Sequence, residues 1–482
     1  MLDNFEGILS AAPLAGRLLL GCPHAHLLVT SQTLLNIDGE QLYRAPPMEI
    51  PAAATDGNSL AGHDAFALFR ERARARIHDW DARSPAEITA VADILRLVDG
   101  IPLAIELAAA WVGSKTLAEI RNGLGNRLDF LKRRGFGATG RHQSMRACLD
   151  YSFGLLPDDA RDFFPKLAVF AGGLFAEDVA AVCGVADAGE LLVSLHERGL
   201  LARQEVLDRS RYSMLPAMQE YAVDKLPEPA AGEMKRAHAR YFLEVLRAAD
   251  QQLGGRDYTA ALERISIDFA NFETGIRESQ ASENYDAVFG YAASLADYLR
   301  IRGRHSDRLT LALAARAAAE NIDSSSVAAA DNNLGIAYGD LPIGDRGDNL
   351  RRAIACYEAA LRVWTERDFP QNWATTQNNL GTAYQKLPTG ERGDNLRRAI
   401  ACYEAALRVR TERDFPQNWA GTQNNLGIAY GDLPTGDRGD NLRRAIACYE
   451  AAARGYDATG LTNAANQARA AAQGLQEQLK ED

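Results

Sequence analysis

The sequence predicts a mainly α-helical protein, in which a short α/β segment and a small winged helix precede an α-solenoid. Three observations lead to this prediction: a 46-residue repeat toward the C-terminus, helical hydrophobic periodicity through residues 229–330, and one hairpin pattern within residues 141–228. Helix pairs that recur at a fixed period predict a solenoid, because each pair can bury its apolar face only against its neighbours. The 482 residues are enough for about three or four domains.

Composition and charge predict a soluble globular protein, with 47% hydrophobic residues and a formal net charge of −11. The acidic balance disfavours general binding to nucleic acid or to anionic membranes. No apolar run reaches the roughly 18 residues of a membrane helix, and Asp3 and Glu6 replace the basic start of a signal peptide. The cytoplasm is therefore the expected location. Three of the six cysteines recur at one helical position and indicate packing rather than disulfides, namely Cys356, Cys402 and Cys448.

The repeat is the clearest feature of the sequence. The motif NNLG-x-AY begins three times, 46 residues apart, at Asn332, Asn378 and Asn424. In the second unit we predict a helix A over residues 373–387 and a helix B over residues 395–413, with Asn395 as its N-cap. Pro416 then breaks the chain before the third unit.

These units resemble the tetratricopeptide repeat (TPR) family. The residues that carry the resemblance in the second unit are Leu380, Gly381 and Tyr384 of helix A and Ala399, Tyr403 and Ala406 of helix B. The usual TPR unit has about 34 residues, so the period of 46 residues implies that both connections are lengthened while the helical core is kept.

The resemblance implies a concave groove, lined by helix A, that binds a protein or peptide partner. The implied groove residues are Asn332, Asn333, Asn378, Asn379, Thr382, Gln385, Lys386, Asn424 and Asn425. The alternative is that the asparagines cap or bridge the helices. The first two units differ at only seven positions, three of which lie in this groove and a fourth, 375/421, beside it.

Several short motifs precede the repeats in a definite order. From the N-terminus they are LDNFE, HLLVTSQTLL, DAFALFRERAR, GIPLAIELAAAWV, RHQSMRACLDYSFGLLP and RYSMLPAMQEYAVDKL. The second predicts an apolar strand over residues 26–35, and the third predicts a helix over residues 64–74 because its apolar residues recur at helical spacing. The ordered set, over roughly residues 1–300, resembles the bacterial signal-transduction NTPases (STAND) with an NB-ARC-like core, as in AfsR- and LuxR-type regulators. A TPR array is the usual sensor of such proteins.

The resemblance assigns four residues to a nucleotide site. Asp3 of LDNFE would hold Mg²⁺, and Glu6 would help to position a water molecule. Thr30 would end the sensor strand, and Pro102 would touch the nucleotide base. ATP or ADP with Mg²⁺ would be the ligand of such a site.

The sequence departs from this family where the phosphates would bind. A P-loop, G-x-x-x-x-G-K-[ST], is absent; GSKT at residues 113–116 lacks the first glycine and follows a helix. Gln32 occupies the sensor arginine position, and Leu215 occupies the position of the histidine that reads the β-phosphate. We therefore expect no enzymatic activity, no cofactor and no metal.

The chain thus looks like the C-terminal part of a larger switch. Its expected function is a non-enzymatic signal-transduction scaffold that binds a protein or peptide through the TPR solenoid. The alternative is an ATP- or ADP-dependent switch, or a transcriptional regulator, whose P-loop lies upstream or in trans. Without the P-loop strand, we expect an unfilled slot between the LDNFE and HLLVTSQTLL strands and weak stability of residues 1–45.

Two further motifs are interpreted as structural. GFGATG at residues 135–140 follows a helical stretch rather than a strand, which predicts a linker instead of a dinucleotide site. Cys22, His24 and His26 lie close together, but no second ligand pair follows them, as a zinc site would require.

Residues 141–228 are typical of a winged helix, with a helix over residues 191–200 that ends at Gly199 and a hairpin that turns at LDRS. The helix carries acidic residues, so we do not expect it to bind DNA. The predicted domains are 1–50 (NTPase remnant), 51–135 (helical lid), 136–228 (winged helix), 229–330 (divergent helical repeats), 331–460 (TPR repeats) and 461–482 (capping helix).

Overall fold

The computed structural model describes residues 1–3, 5–22, 24–31, 34–43, 45–50, 60, 62–124, 131, 145–255 and 257–481. The fold is mainly α-helical, as predicted, and within these residues one two-stranded sheet is present. The chain forms two compact units: unit one is residues 1–241 with 268–274, and unit two is residues 242–267 with 275–482. The finer division into six domains stays a prediction.

No single helix in the described part of the chain is both long and apolar enough to cross a membrane; only a bent pair of short helices, at residues 176–183 and 188–197, reaches the necessary length and composition together.

The N-terminal part of unit one contains a parallel bridge between Leu2 and Val29. The Leu2 amide donates to the Leu28 carbonyl and the Thr30 amide donates to the Leu2 carbonyl, both at 2.9 Å. The two segments therefore pair directly, so the expectation of an unfilled slot between them is wrong. Among the described residues of 26–35, only Val29 takes part in a bridge, so a regular strand is not formed there.

The helices of unit one follow the sequence pattern closely. They are α1 (Ala12–Gly21), α2 (Asp64–Arg74), α3 (Pro85–Leu97), α4 (Pro102–Ala109), α5 (Leu117–Gly123), α6 (Met145–Gly154), α7 (Asp158–Phe163), α8 (Ala176–Cys183), α9 (Ala188–Glu197) and α10 (Pro216–Lys225), with 3₁₀ helices at Phe5–Ala11 and Phe164–Val169. Helix α2 spans DAFALFRERAR, as predicted. Thr116 of GSKT forms a capping box with Glu119 at the start of α5, so this motif has a structural role.

The predicted hairpin is present as β1 (Ala202–Val206) and β2 (Arg209–Ser213), which pair antiparallel from Ala202 with Ser213 to Val206 with Arg209. The turn consists of Leu207 and Asp208, whose φ angles of 53° and 56° are those of a type I′ hairpin turn. Helix α9 ends before Gly199, whose φ of 74° stops it as predicted.

A buried ion pair fixes this hairpin within unit one. The guanidinium of Arg211 on β2 donates to a carboxylate oxygen of Asp268 at 2.8 Å, with 2% and 0% of the two side chains exposed. Asn271 accepts a hydrogen bond from the Ala171 amide at 2.7 Å and donates to the Gly173 carbonyl at 2.9 Å. Gly173 has a φ of 117°, and a Cβ there would lie 2.7 Å from the Arg211 Nε.

The remaining helices continue the chain in pairs. They are α11 (Ala230–Gln252), α12 (Tyr258–Ala281), α13 (Tyr285–Ile301), α14 (His305–Ala319), α15 (Ser324–Asp340), α16 (Arg346–Ala360), α17 (Pro370–Lys386), α18 (Arg392–Val409), α19 (Pro416–Gly431), α20 (Arg438–Ala458) and α21 (Thr462–Glu481). Helices α15, α17 and α19 are the three A helices, and α16, α18 and α20 are the three B helices. Ala465, Ala468 and Ala472 of α21 are buried.

The start of helix B differs from the prediction. Helix α18 begins at Arg392 with Glu391 as its N-cap, so Asn395 lies inside the first turn and is not the cap. Its side-chain amide instead donates to the carbonyl of Thr389 at 2.9 Å. Asn349 and Asn441 do the same to Ile343 and Thr435 in the other two units, which secures each A–B connection.

The Gly of the L-G-x-x-Y motif allows helix A to approach helix B. A Cβ on Gly381 would lie 2.7 Å from the Cε1 of Tyr403, a fully buried ring of α18. A Cβ on Gly335 would likewise lie 2.6 Å from the Cε1 of Tyr357. The pairing of small and large residues across the two helices gives the repeats their core.

Candidate functional site

The predicted groove residues of unit two form a ladder that joins successive A helices. Asn332 on α15 accepts hydrogen bonds at its Oδ1 from the Thr376 hydroxyl and from the Asn379 side-chain amide, both at 3.2 Å. One unit later, Asn378 accepts from Thr422 at 3.2 Å and from Asn425 at 3.3 Å. The bridging alternative is therefore correct for the carbonyl groups of Asn332 and Asn378.

The ladder ends at Asn424. The positions that correspond to the threonine and asparagine donors are Ala468 and Ala471 on α21, which have no hydrogen-bonding side chains. Asn333, Asn379, Asn424 and Asn425 are all half-buried, so their side chains reach the surface of the A helices.

Thr382 and Gln385 serve the core of the second unit as well as its surface. The buried Tyr403 hydroxyl donates to Gln385 Oε1 at 2.7 Å, and its oxygen lies 3.2 Å from Thr382 Oγ1. Burial raises the pKa of Tyr403, which keeps its hydroxyl protonated as a donor. Lys386, in contrast, is exposed at the end of α17.

A small cavity of about 30 Å³ lies beside Asn333 in unit two. Its lining is mainly apolar and small, with Ala296, Ala312, Ala315 and Ala330 from α13, α14 and α15, together with Asn333 and Arg308. Arg308 is buried and donates to Asp340 at 2.8 Å. Alanines at facing positions leave space that a small apolar group can fill.

Two polar arrangements between the repeats were not predicted. In the first, Tyr384 donates to Glu358 of the previous unit at 2.9 Å while the Arg398 guanidinium lies 5.5 Å from the Tyr384 ring centre. Tyr430, Glu404 and Arg444 repeat this arrangement one unit later. The 46-residue recurrence of these three residue types is the sequence signal that could have found it.

In the second arrangement, Arg410 lies between two A helices. Its guanidinium donates to the Thr422 hydroxyl of α19 and to the Thr375 hydroxyl of α17, both at 2.9 Å. Positions 410 and 375 are among the few at which the repeats differ, and that divergence was the available signal.

The structure brings together two of the four residues that the NTPase resemblance assigns to a nucleotide site. The Thr30 hydroxyl donates to the Asp3 carboxylate, and both are in the bridged N-terminal segments of unit one. Glu6 belongs to the 3₁₀ helix Phe5–Ala11, and its side chain lies outside the described residues. Pro102 is exposed at the first position of α4.

Two further features of the sequence lie outside the described residues. They are Gln32 and the GFGATG segment at 135–140. Among the residues that are described, no group of three or more His, Cys, Asp or Glu side chains could hold a metal ion.

Comparison with known proteins finds relatives, some of which are named as putative transcriptional regulators. No protein-family model matches the chain. The chain is 32% identical over 304 residues to a "Putative HTH-type transcriptional regulator" of Mycobacterium tuberculosis, a match that covers 61% of this chain and 33% of that protein. It is 32% identical over 249 residues to an "Uncharacterized protein" of the same organism, a match that covers 50% of this chain and 60% of that protein. The chain thus spans a third to three fifths of the curated relatives it matches.

Two solved structures are similar to this chain, both with low TM-scores. A STAND protein with a tetratricopeptide repeat sensor from Pyrococcus horikoshii is 13% identical with a TM-score of 0.28, over 92% of this chain and 66% of that one. BtubC from P. vanneervenii is 21% identical with a TM-score of 0.29, over 42% of this chain and 88% of that one. Both TM-scores are too low to establish a shared fold.

Proposed function

We propose that this chain is part of a signal-transduction or transcriptional regulator, in which unit two binds a protein or peptide partner through the surface of its A helices. The similarity to HTH-type regulators supports the regulatory kind. The observation that supports partner binding most directly is the asparagine ladder, which places half-exposed amide groups at regular intervals along one face.

The ladder leaves hydrogen-bonding capacity at the surface. An asparagine side chain has one carbonyl oxygen and two N–H donors. In Asn379 and Asn425 one N–H is used by the preceding unit, and the carbonyl and the other N–H make no bond among the described residues. An extended peptide offers both a donor and an acceptor at each residue, so these side chains suit its backbone.

The same bonds hold the surface ready for a partner. Because each amide is tied to Asn332 or Asn378, the side chains lose little rotamer freedom when a peptide binds. The cavity beside Asn333 accommodates a small apolar side chain of that peptide. The proposed ligand is therefore an extended segment with a small apolar residue, and the proposal includes no NTP hydrolysis.

A peptide-display selection against the immobilised full chain tests this proposal. Peptides that are selected for binding to the wild-type chain should not bind the triple variant Asn333→Ala, Asn379→Ala and Asn425→Ala. The matched control is Gln371→Ala with Gln417→Ala, which are exposed positions on α17 and α19 away from the ladder. Equal retention by the triple variant would refute the proposed surface.

The hydrogen bond between Thr30 and Asp3 favours one alternative, a nucleotide-dependent switch whose P-loop is supplied by another segment or chain. Calorimetry with ADP and Mg²⁺ separates the two functions. We expect no heat of binding for this chain, whereas micromolar binding that Asp3→Ala removes would favour the switch.

A further inference from the structure

Arg410 is a half-buried cation whose neighbours are neutral hydroxyls. It follows α18, and its guanidinium contacts Thr375 on α17 and Thr422 on α19. Among the described residues, no carboxylate forms an ion pair with it. Two positions earlier, Arg408 donates to both oxygens of Glu366, at 3.0 and 2.7 Å.

The surroundings of the two arginines shift their pKa values in opposite directions. The hydrogen bonds to Glu366 raise the pKa of Arg408, whereas burial lowers the pKa of Arg410. Partial burial of a charge without a counter-charge is unfavourable. Packing alone would therefore not favour the charged Arg410 at this place.

The other repeats show that this position does not need a charge. The corresponding residues are Trp364 in the first unit and Tyr456 in the third. Trp364 is buried against Ala328 and Ala360. The position that Thr375 occupies is also changed, to Ala329 and Gly421. An aromatic ring thus fills the space in two units, and the Arg–Thr pair is special to the junction between the second and third units.

Several hydrogen-bond donors at this junction have no acceptor among the described residues. A guanidinium has five N–H donors, and two nitrogens of Arg410 each donate one to a threonine. The third nitrogen, Nε, donates no hydrogen bond among the described residues, and the residue is half-buried. The Thr375 hydroxyl accepts from Arg410, and its own hydrogen has no acceptor among the described residues.

We propose that Arg410 and Thr375 form an anion-binding subsite that takes a carboxylate or a phosphate group. The planar guanidinium supplies charge and paired donors, and the threonine supplies a hydroxyl donor. Thr422 links the subsite to the ladder, since it accepts from Arg410 and lies 3.2 Å from Asn378 Oδ1. Anion binding can be tested apart from peptide binding, because neither Arg410 nor Thr375 is among the asparagines proposed to bind the peptide.

Calorimetric titration of the full chain with inorganic phosphate and, separately, with acetate tests the subsite at constant ionic strength. The wild type should bind one anion, and the preferred probe distinguishes a phosphate site from a carboxylate site. The double variant Arg410→Tyr with Thr375→Gly copies the third unit and should bind at least about tenfold more weakly. Thermal melting checks that this variant is folded.

Arg408→Gln is the matched control, because it removes a neighbouring arginine whose charge is already paired. It should leave anion binding unchanged. No binding of either anion by the wild type, or equal binding by the wild type and the double variant, would overturn the proposal.

Discussion

The hydroxyl of Tyr403 donates a hydrogen bond of 2.7 Å to Oε1 of Gln385, which distinguishes the second repeat unit from its neighbours. The position of Gln385 is Gly339 in the first unit and Gly431 in the third. A surface difference between nearly identical units is thus tied to a buried group.

Gln385→Ala should lower the free energy of unfolding by about 1 kcal/mol, because the Tyr403 hydroxyl loses its shorter bond. The same change in a Tyr403→Phe background should have almost no effect, since both partners are then gone. Denaturant unfolding of the four chains measures this coupling. Tyr357→Phe, whose unit has Gly339, is the control, and additive effects of Gln385 and Tyr403 would contradict the prediction.

Gly381→Ala should destabilise the protein by about 1–3 kcal/mol, because the new methyl group overlaps the Tyr403 ring. Helix propensity alone would favour alanine by about 1 kcal/mol. Gly474→Ala on α21 isolates that propensity, since no atom lies within 4 Å of its added Cβ. Opposite signs in thermal melting would support the packing account, and stabilisation by both substitutions would refute it.

Asn378→Ala should lower stability by about 1–2 kcal/mol, because Asn425 loses its acceptor and Thr422 keeps only the Asn418 carbonyl of its own helix. Asn424→Ala, at the end of the ladder, should change stability by less than about 0.5 kcal/mol. Chemical denaturation of both variants measures the difference. An equal loss at the two positions would mean that the ladder does not join the repeats energetically.

The stability of unit one should fall as the pH drops from about 6.5 toward 4. Burial lowers the pKa of His238 to about 4, despite its bond to Asn271 and the charge of Asp268. The folded state therefore keeps this ring neutral while the unfolded state takes up a proton, at about 1.4 kcal/mol per pH unit in that range. His238→Gln should flatten this dependence in pH-resolved melting, and an unchanged slope would contradict the assignment.

Local signals predicted much of the fold. The bounds of α2 and the turn of the hairpin follow from periodicity and turn chemistry within a few residues. The start of α18 was not predicted correctly. Asparagine is a favoured N-cap residue, so Asn395 suggested a cap, but the helix already begins at Arg392 with Glu391 as its N-cap. The N-terminal segments pair directly, which depends on residues 27 positions apart and not on local pattern.

The candidate site was predicted as a set of positions but not as a set of contacts. The nine groove residues lie on α15, α17 and α19, as the repeat pattern implies. Their roles differ because non-local bonds decide them: Asn332 and Asn378 bridge successive units, and Gln385 supports Tyr403 within the second unit. Arg410 was missed since its partners are 12 and 35 residues away.

The central claim is that the half-exposed asparagines of the A helices bind an extended peptide. Its most direct test is the dissociation constant of the best display-selected peptide, measured by fluorescence anisotropy with the full chain. The account predicts binding at least about tenfold weaker for the variant with Asn333, Asn379 and Asn425 changed to alanine, and unchanged binding for the Gln371 and Gln417 control. Equal affinity of the wild type and the triple variant would contradict it.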